Sequence, residues 1–203
     1  MRATVALLAL ATLVAAVASA TASPSKRPPP TVTMIGDSVS AALDYVTDAR
    51  TFLGRGLDFR FVLDVCRRLV APSCTYQGVT PPTGLQVVLA GGRSLGPVVI
   101  VDVGYNDYAS AYRGDLDRVM RALAASKVKT VIWVTLRETR STYHSINVII
   151  RRARKRWRQL AVADWNAYSQ GQPWFGDSEG LHLNPSGAMG LARLLRRLVL
   201  AHL

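Results

Sequence analysis

Short apolar runs alternate along the chain with segments in which apolar residues recur at helical spacing. The runs are five to seven residues long, the length of buried strands: Thr31 to Ile35, Pro97 to Val103, Thr130 to Leu136 and Leu160 to Asp164. Helical spacing occurs between and after them: Val39 to Tyr45, Thr83 to Ala90, Asp115 to Ser126, Ile146 to Arg158 and the segment after Asn184. Near-continuous apolar strands separated by helices are typical of a parallel sheet covered on both faces. The pattern therefore predicts an α/β fold, a three-layer α/β/α sandwich with a mostly parallel central sheet.

Two segments differ in how clearly their patterns can be interpreted. The C-terminal one begins with Asn184 and Pro185, which are typical of the N-cap and the first position of a helix. Its leucines recur on one side and its arginines on the other, so we expect these leucines to face the core: Leu191, Leu194, Leu195 and Leu198. The segment from Phe52 to Val70 has no clear period, and we assign no element to it.

The first thirty residues differ in composition from the rest of the chain. Arg2 is followed by an uncharged run from Ala3 to Ala20 that closes on small residues, which is typical of a secretory signal peptide. We expect cleavage after Ala20; an uncleaved membrane anchor is the alternative, but Ala, Thr and Ser dilute the apolar run. Residues 21–30 are rich in Pro, Ser and basic residues and are expected to be a linker. Residues 1–20 are thus a predicted signal peptide, and residues 31–203 a single predicted domain.

The chain is strongly basic, with a formal net charge of +12. Six cations lie between Arg151 and Arg158, but Ile146, Ile150 and Ala153 recur at helical spacing beside them. We therefore expect these cations to form the solvent face of an amphipathic helix. For an exported protein, positive charge favours anionic cell-envelope polymers over nucleic acid as neighbours.

The chain has two cysteines, Cys66 and Cys74, close together in the sequence. In an exported protein an even number of closely spaced cysteines favours a disulfide, which here would close a small loop. A metal site is not expected, because no second cysteine pair and no histidine cluster accompanies them. We therefore predict one disulfide and no metal.

Polar side chains suited to catalysis follow three of the predicted strands. Gly36, Asp37 and Ser38 follow the first strand, Asn106 comes just after the second, and His182 lies in the loop after the last. The carboxyl ends of parallel strands meet at one edge of a sheet, where ligand sites form in α/β folds. Taken singly, Ser38 or Asp37 is explained as a helix cap, and Asn106 as a turn residue. Together, a hydroxyl, an imidazole preceded by acids and an amide donor are the groups that acyl transfer requires.

The sequence resembles the SGNH, or GDSL-like, hydrolases in three blocks that occur in the order of that family. The blocks are GDSV from Gly36, VDVGYND ending at Asp107, and EGLHLNPSGA from Glu179. They span nearly the whole predicted domain. The G-x-S-x-G elbow of the α/β-hydrolases is absent, because Ser40 stands where the second glycine would be. The resemblance implies a flavodoxin-like SGNH hydrolase fold, and within the family the chain is most similar to bacterial envelope esterase and O-acyltransferase domains.

By position, the resemblance makes Ser38 the nucleophile and His182 the base that takes its proton and later returns it to the leaving alcohol. The backbone N–H of Ser38 and the side-chain amide of Asn106 would belong to the oxyanion hole. The family's acid stands three residues before the histidine, where this chain has Glu179, so we expect Glu179 to orient the imidazole, with Asp177 in reserve. A backbone carbonyl in place of the acid is a further alternative.

The remaining oxyanion donor and the substrate contacts have weaker support in the sequence. The resemblance requires a glycine N–H, and Gly78 is the best match, although the asparagine that often precedes this glycine in the family is absent. Gly91 and Gly92 are alternatives that suit a helix end better. Trp174 and Phe175 lie just before the histidine block, where they would either bind a sugar or acyl group or pin the loop to the core.

These features predict a secreted serine esterase that removes small acyl groups, in particular O-acetyl groups, from cell-envelope or extracellular carbohydrate through an acyl-enzyme. Hydrolysis and acyl transfer share this intermediate, so both stay open. A lipid or lysophospholipid esterase and a non-catalytic envelope domain that binds polyanions are the alternatives. No glycine-rich phosphate loop is present, so we expect no cofactor. We also expect no nucleic-acid partner, no membrane span after processing, and a monomer outside the cell or in its envelope.

Overall fold

The fold is taken from a computed structural model that describes residues 28–203. The predicted signal peptide, residues 1–20, and most of the predicted linker, residues 21–27, lie outside the described residues. Residues 28–30 are exposed and have no regular secondary structure. Within residues 28–203, no helix combines the length and the apolar character that a membrane span requires.

The core of the molecule is a parallel sheet of five strands. The strands are β1 (Thr31–Gly36), β2 (Asp58–Leu63), β3 (Val98–Asp102), β4 (Thr130–Val134) and β5 (Leu160–Ala163). They lie in the order β2-β1-β3-β4-β5, and every neighbouring pair is parallel. The order reverses between β1 and β3, and in open α/β sheets the crevice beyond such a reversal is where ligands bind. The loops that follow β1 and β3 are therefore the expected place for a site.

Helices cover both faces of the sheet. They are α1 (Ala42–Tyr45), α2 (Thr47–Gly54), α3 (Gly84–Gly91), α4 (Ala109–Ala125), α5 (Ser141–Ala153), α6 (Trp165–Tyr168) and α7 (Pro185–Ala201). α1 and α2 pack with α7, whereas α4 packs with α3 and α5. The right-handed crossovers of a doubly wound sheet place these two groups on opposite faces. The predicted three-layer α/β/α architecture is confirmed.

The strand β2 lies inside the segment from Phe52 to Val70, to which the sequence pattern assigned no element. It is an edge strand, and its residues are only partly buried. It alternates apolar residues with Asp58 and Arg60, whose side chains are hydrogen-bonded to each other. An edge strand has no need of the continuous apolar run that marks buried parallel strands, so the pattern that revealed the other four strands is missing here.

Three helices differ from their predicted bounds. α1 begins at Ala42, three residues after the predicted start at Val39. α4 begins at Ala109, six residues before the predicted start at Asp115, and α5 ends at Ala153. Most of the predicted cationic face of a helix therefore lies in the turn after α5, and the prediction is wrong for that part. There Arg156 is bonded to Asp117 at 2.9 Å.

The C-terminal helix α7 packs its glycines against the loop that precedes it. Asn184 caps the helix by accepting the Gly187 N–H at 2.9 Å, and the predicted core leucines are buried or half-buried. A Cβ at Gly187 would lie 2.1 Å from the Trp174 carbonyl oxygen, and one at Gly190 would lie 2.7 Å from the Trp174 ring. The helix therefore needs glycine at both positions to let Trp174 approach.

We expect Gly187→Ala to lower the free energy of unfolding by about 1 to 3 kcal/mol, because the added methyl group overpacks the contact with Trp174. Gly114→Ala in α4 is the matched control, since its Cβ would have no neighbour within 4 Å. Alanine in place of glycine in an exposed helix stabilises by about 0.5 to 1 kcal/mol. Urea unfolding of both variants tests this contrast, and a stabilised Gly187→Ala variant would contradict it.

Candidate active site

The turn after β1 is organised by the buried carboxylate of Asp37. This carboxylate accepts the backbone N–H of Val39 at 3.1 Å and those of Gly104 and Tyr105 at 3.3 Å each. The Asp37 N–H donates to the Asp102 carbonyl at 3.1 Å, so Asp37 joins the exits of β1 and β3 in both directions. Ser38, the next residue, is half-buried and caps no helix, since α1 begins only at Ala42 and has no side-chain cap.

Ser38 lies at the end of a chain of hydrogen bonds between side chains. Its Oγ is 3.2 Å from Nε2 of His182, and Nδ1 of His182 is 2.5 Å from Oδ2 of Asp177. Asp177 also accepts the backbone N–H groups of Leu181 at 2.8 Å and of His182 at 3.2 Å. The structure thus brings together a hydroxyl, an imidazole and a carboxylate that lie up to 144 residues apart.

The charge of Asp177 is favoured by these contacts. Partial burial opposes ionisation, but the Leu181 and His182 N–H groups and the imidazole together hold the pKa of the Asp177 carboxyl below its usual range. An ionised carboxylate at Nδ1 fixes the tautomer in which Nε2 is free to accept the serine proton. The arrangement is that of an activated nucleophile, its base and the acid that orients the base.

The carboxylate beside the imidazole is Asp177 and not Glu179, which corrects the preference drawn from the sequence. Glu179 points away and is bonded to Arg140 at 2.9 Å, with 53% of its side chain exposed. The loop turns back at Gly180, which has a φ of +67° and whose N–H donates to the Asp177 carbonyl. This turn lets the Asp177 side chain reach across to His182, a geometry that spacing in the sequence does not reveal.

The loop that carries Asp177 and His182 is pinned by the aromatic residues before it. The Arg137 guanidinium stacks on the Phe175 ring at 3.6 Å from its centroid and lies beneath Gly180. Trp174 stacks on Trp165 with ring centroids 5.6 Å apart. Of the two interpretations that the sequence left open, these contacts support packing of the loop onto the core.

Asn106 lies in the loop after β3, beside the loop after β2. Its side-chain amide donates to the Arg67 carbonyl at 3.2 Å, and within residues 28–203 its second N–H has no acceptor. Asp107 accepts the Leu69 N–H with both carboxylate oxygens, at 3.0 and 3.2 Å. The exit of β3 therefore holds the segment that follows β2, a contact that sequence reasoning missed because β2 was not recognised.

Gly78 lies in an exposed turn closed by paired hydrogen bonds between Tyr76 and Val79. Among the described residues, no hydrogen bond joins Gly78 to Ser38, His182 or Asn106.

The predicted disulfide between Cys66 and Cys74 is confirmed. Over residues 28–203, no group of three or more His, Cys, Asp or Glu side chains is placed to hold a metal ion.

No family model and no curated protein sequence matches the chain. A protein assigned as an arylesterase from Agrobacterium tumefaciens str. C58 superposes with a TM-score of 0.68 at 14% identity, covering 86% of this chain and 100% of that chain. A protein assigned as an SGNH hydrolase from Slackia heliotrinireducens gives 0.62 at 15% identity, covering 84% and 98%. The chain has the SGNH hydrolase fold.

A third solved structure with the SGNH hydrolase fold is a carbohydrate acetylesterase family member from Sinorhizobium meliloti. It superposes with a TM-score of 0.65 at 13% identity and covers 85% of this chain and 98% of that chain. The three alignments each span nearly all of the matched chain.

Three buried carboxyl groups lie at the ends of β1 and β3: Asp37, Asp102 and Asp107. Burial raises the pKa of Asp37 to about 6, against the lowering effect of the three N–H groups that it accepts. Burial likewise raises the pKa of Asp107 to about 7, against the hydrogen bond from Leu69, and it also raises the pKa of Asp102. Each of these groups binds a proton more tightly in the folded protein than in the unfolded chain, where an aspartate has a pKa near 3.9.

The free energy of unfolding should depend on the charge of Asp107. Because its folded pKa is raised from 3.8 to about 7, its contribution is fully present below pH 4 and is lost as the pH rises through 7. Asp107→Asn keeps an oxygen for the Leu69 N–H and has no charge to develop. We expect the variant to gain about 2 to 4 kcal/mol relative to wild type between pH 4 and pH 7.

Urea unfolding at several pH values measures this difference. Asp117→Asn is the control, because hydrogen bonds from Trp157 and Arg156 outweigh partial burial and lower the pKa of Asp117. Its profile above pH 4 should therefore run parallel to that of wild type. A parallel profile for Asp107→Asn would show that its carboxyl group is already charged at pH 4.

Proposed function

We propose that the protein is a serine ester hydrolase in which Ser38, His182 and Asp177 form the catalytic triad. The observation that carries the proposal is the continuous chain of hydrogen bonds from Asp177 through His182 to Ser38, at the edge of the sheet where the strand order reverses. The hydrolases and esterases that share the fold support it.

The first half of the reaction follows from the roles of the three groups. Nε2 of His182 takes the Ser38 proton while Oγ attacks the ester carbonyl carbon, which gives a tetrahedral oxyanion. The intermediate collapses when the carbon to alcohol-oxygen bond breaks, and His182 gives its proton to the leaving alcohol. Asp177 stays ionised and stabilises the imidazolium that forms between these steps.

The second half regenerates the enzyme. Water attacks the acyl group on Ser38, His182 takes a proton from that water, and the carboxylic acid leaves as Ser38 regains its proton. In both halves the oxyanion needs N–H donors, and we propose the Ser38 N–H and the Asn106 amide for this role. The Ser38 N–H and one Asn106 Nδ2–H make no hydrogen bond to another group of residues 28–203, and each preorganised donor of this kind contributes about 3 to 4 kcal/mol to the stability of the transition state.

The openness of the site favours substrates with a small acyl group on a bulky alcohol. Ser38 is half-buried, whereas 53% of the side chain of His182, the proposed donor of a proton to the leaving alcohol, is exposed. A polysaccharide chain that carries O-acetyl groups fits this geometry, and one of the proteins with the same fold is a carbohydrate acetylesterase family member. We therefore propose acetylated carbohydrate as the substrate class.

Two further observations support a proposal about where the protein acts and which polymers attract it. The disulfide suits an oxidising compartment, so we propose that the protein acts outside the cell or in the cell envelope. Exposed cations at Arg154, Lys155 and Arg158, together with the net charge of +12, favour attraction to anionic envelope polymers, which would raise the local substrate concentration.

Labelling with a fluorophosphonate tests the proposal directly. We expect wild-type protein to take up one phosphonyl group on Ser38, found by peptide mass spectrometry, and to release acetate from acetylated xylan or chitosan oligomers. Ser38→Ala should lose both properties, since it has no nucleophile. A folded wild-type protein that is neither labelled nor active would refute the proposal, and salt-sensitive binding to an anionic wall polymer would then favour a binding domain.

The choice of acid is tested by a matched pair of neutral substitutions. Asp177→Asn should lower kcat for a p-nitrophenyl ester by about 10² to 10⁴-fold, because the imidazole loses its orienting carboxylate. Glu179→Gln removes a carboxylate from the same loop and should change kcat by about twofold at most, because Glu179 is exposed and forms an ion pair with Arg140 on the surface. The reverse order of effects would restore Glu179 as the acid.

A further inference from the structure

The third residue after β2, Cys66, has a backbone conformation that suits glycine. Its φ is +69°, in the left-handed region that side chains with a Cβ rarely adopt. Residues 64–74 contain no glycine. Cys66 is instead bonded to Cys74 through the disulfide, and the Cys74 N–H donates to the Cys66 carbonyl at 3.3 Å. The disulfide therefore ties Cys66 to Cys74 while Cys66 has a backbone conformation that a free cysteine would tend to leave.

This loop follows the edge strand β2 and is hydrogen-bonded to the exits of β1 and β3. The Asp64 N–H donates to the Gly36 carbonyl at 3.3 Å, two residues before Ser38. On the other side, the Asn106 amide donates to the Arg67 carbonyl at 3.2 Å. Cys66 stands between these two contacts in the chain. It is thus carried by a segment bonded both to the strand that presents the nucleophile and to the side chain of the proposed oxyanion donor.

The Cys66 N–H has no acceptor of its own. Within residues 28–203, neither this N–H nor that of Ser38 donates to a backbone or side-chain group. An N–H group without a partner at the edge of a site is costly unless water or a ligand accepts its hydrogen bond. Cys66, Asn106 and Ser38 thus supply three N–H donors from the exits of three adjacent strands, β2, β3 and β1.

We propose that the Cys66 N–H is the third oxyanion donor and that the disulfide to Cys74 holds the backbone conformation that aims it. The inference rests on the proposed ester hydrolysis and assigns a role to a disulfide that would otherwise only stabilise the fold. In place of a glycine, which adopts a positive φ freely, this chain uses a cysteine and constrains it covalently. Ester hydrolysis should consequently depend on the disulfide through kcat.

Two double variants separate backbone conformation from the mere loss of the disulfide. C66A/C74A lacks the disulfide and has a residue that disfavours a positive φ, whereas C66G/C74A lacks it and has a residue that tolerates one. We expect kcat of C66A/C74A to fall by about 10² to 10³-fold, the range for loss of one oxyanion donor, with KM little changed. C66G/C74A should keep kcat within about tenfold of wild type.

A second readout reports the oxyanion hole itself. A phenylboronic acid forms a tetrahedral adduct with the catalytic serine and needs the same donors, so its Ki should rise in C66A/C74A in proportion to the loss of kcat. Circular dichroism and urea unfolding establish that each variant is folded at the assay temperature. If C66A/C74A does not fold, C66G/C74A decides alone: kcat within tenfold of wild type supports the inference, and a larger loss overturns it.

The outcomes distinguish the two proposals. Wild-type protein that hydrolyses no ester overturns the proposed function and this inference with it. Active wild-type protein with a folded C66A/C74A variant that keeps full kcat and boronate affinity overturns the inference alone. Equal losses of kcat in C66A/C74A and C66G/C74A would mean that the disulfide acts through the order of the loop and not through the conformation of Cys66, which also overturns it.

Discussion

The buried carboxylate of Asp37 holds together the strand exits on which the whole site is built. It accepts three backbone N–H groups, two of them from the loop after β3, and its own N–H donates back to the end of β3. Ser38 follows in the chain and Asn106 lies two residues beyond Gly104. The proposed nucleophile and the proposed oxyanion donor are therefore positioned by one polar group, buried where an unpaired carboxylate would be strongly destabilising.

In the loop before α7, too, a single carboxylate makes several of the contacts that position the site. Asp177 orients His182 through Nδ1 and also accepts the backbone N–H of His182, so it fixes both the side chain and the main chain of the base. Below the loop, Phe175 stacks on Arg137, and Trp174 fills the space that Gly187 and Gly190 leave open. The proposed triad thus rests on packed aromatic side chains beneath an exposed surface, as the proposed carbohydrate substrate would require.

Much of the fold and part of the site could be predicted from the sequence, for identifiable reasons. The buried strands β1, β3, β4 and β5 are continuous apolar runs because both of their faces are covered, and parallel topology brings Ser38, Asn106 and His182 to one edge. The edge strand β2 carries charged residues and lacks that signature. Because β2 was not predicted, the sequence pattern offered no reason to expect the segment around Cys66 beside Asn106.

The structure places Asp177 beside His182, whereas the sequence led us to expect Glu179 there. Sequence spacing places Glu179 where the resemblance expects the acid, but the direction of a side chain depends on the turn at Gly180 and on which carboxylate accepts the loop's own N–H groups. Asp177 does so, and Glu179 is drawn outward by Arg140. Such competition between hydrogen bonds is a property of the folded loop and is not visible in the order of its residues.

The most direct test of the proposed chemistry is a crystal structure of the protein after reaction with a fluorophosphonate. We expect phosphorus bonded to the Ser38 Oγ, with one phosphoryl oxygen about 2.7 to 3.1 Å from the backbone nitrogens of Ser38 and Cys66 and from Nδ2 of Asn106. An adduct on another residue, or a phosphoryl oxygen that points to solvent away from these three nitrogens, would contradict the assignment of this site as a serine hydrolase centre.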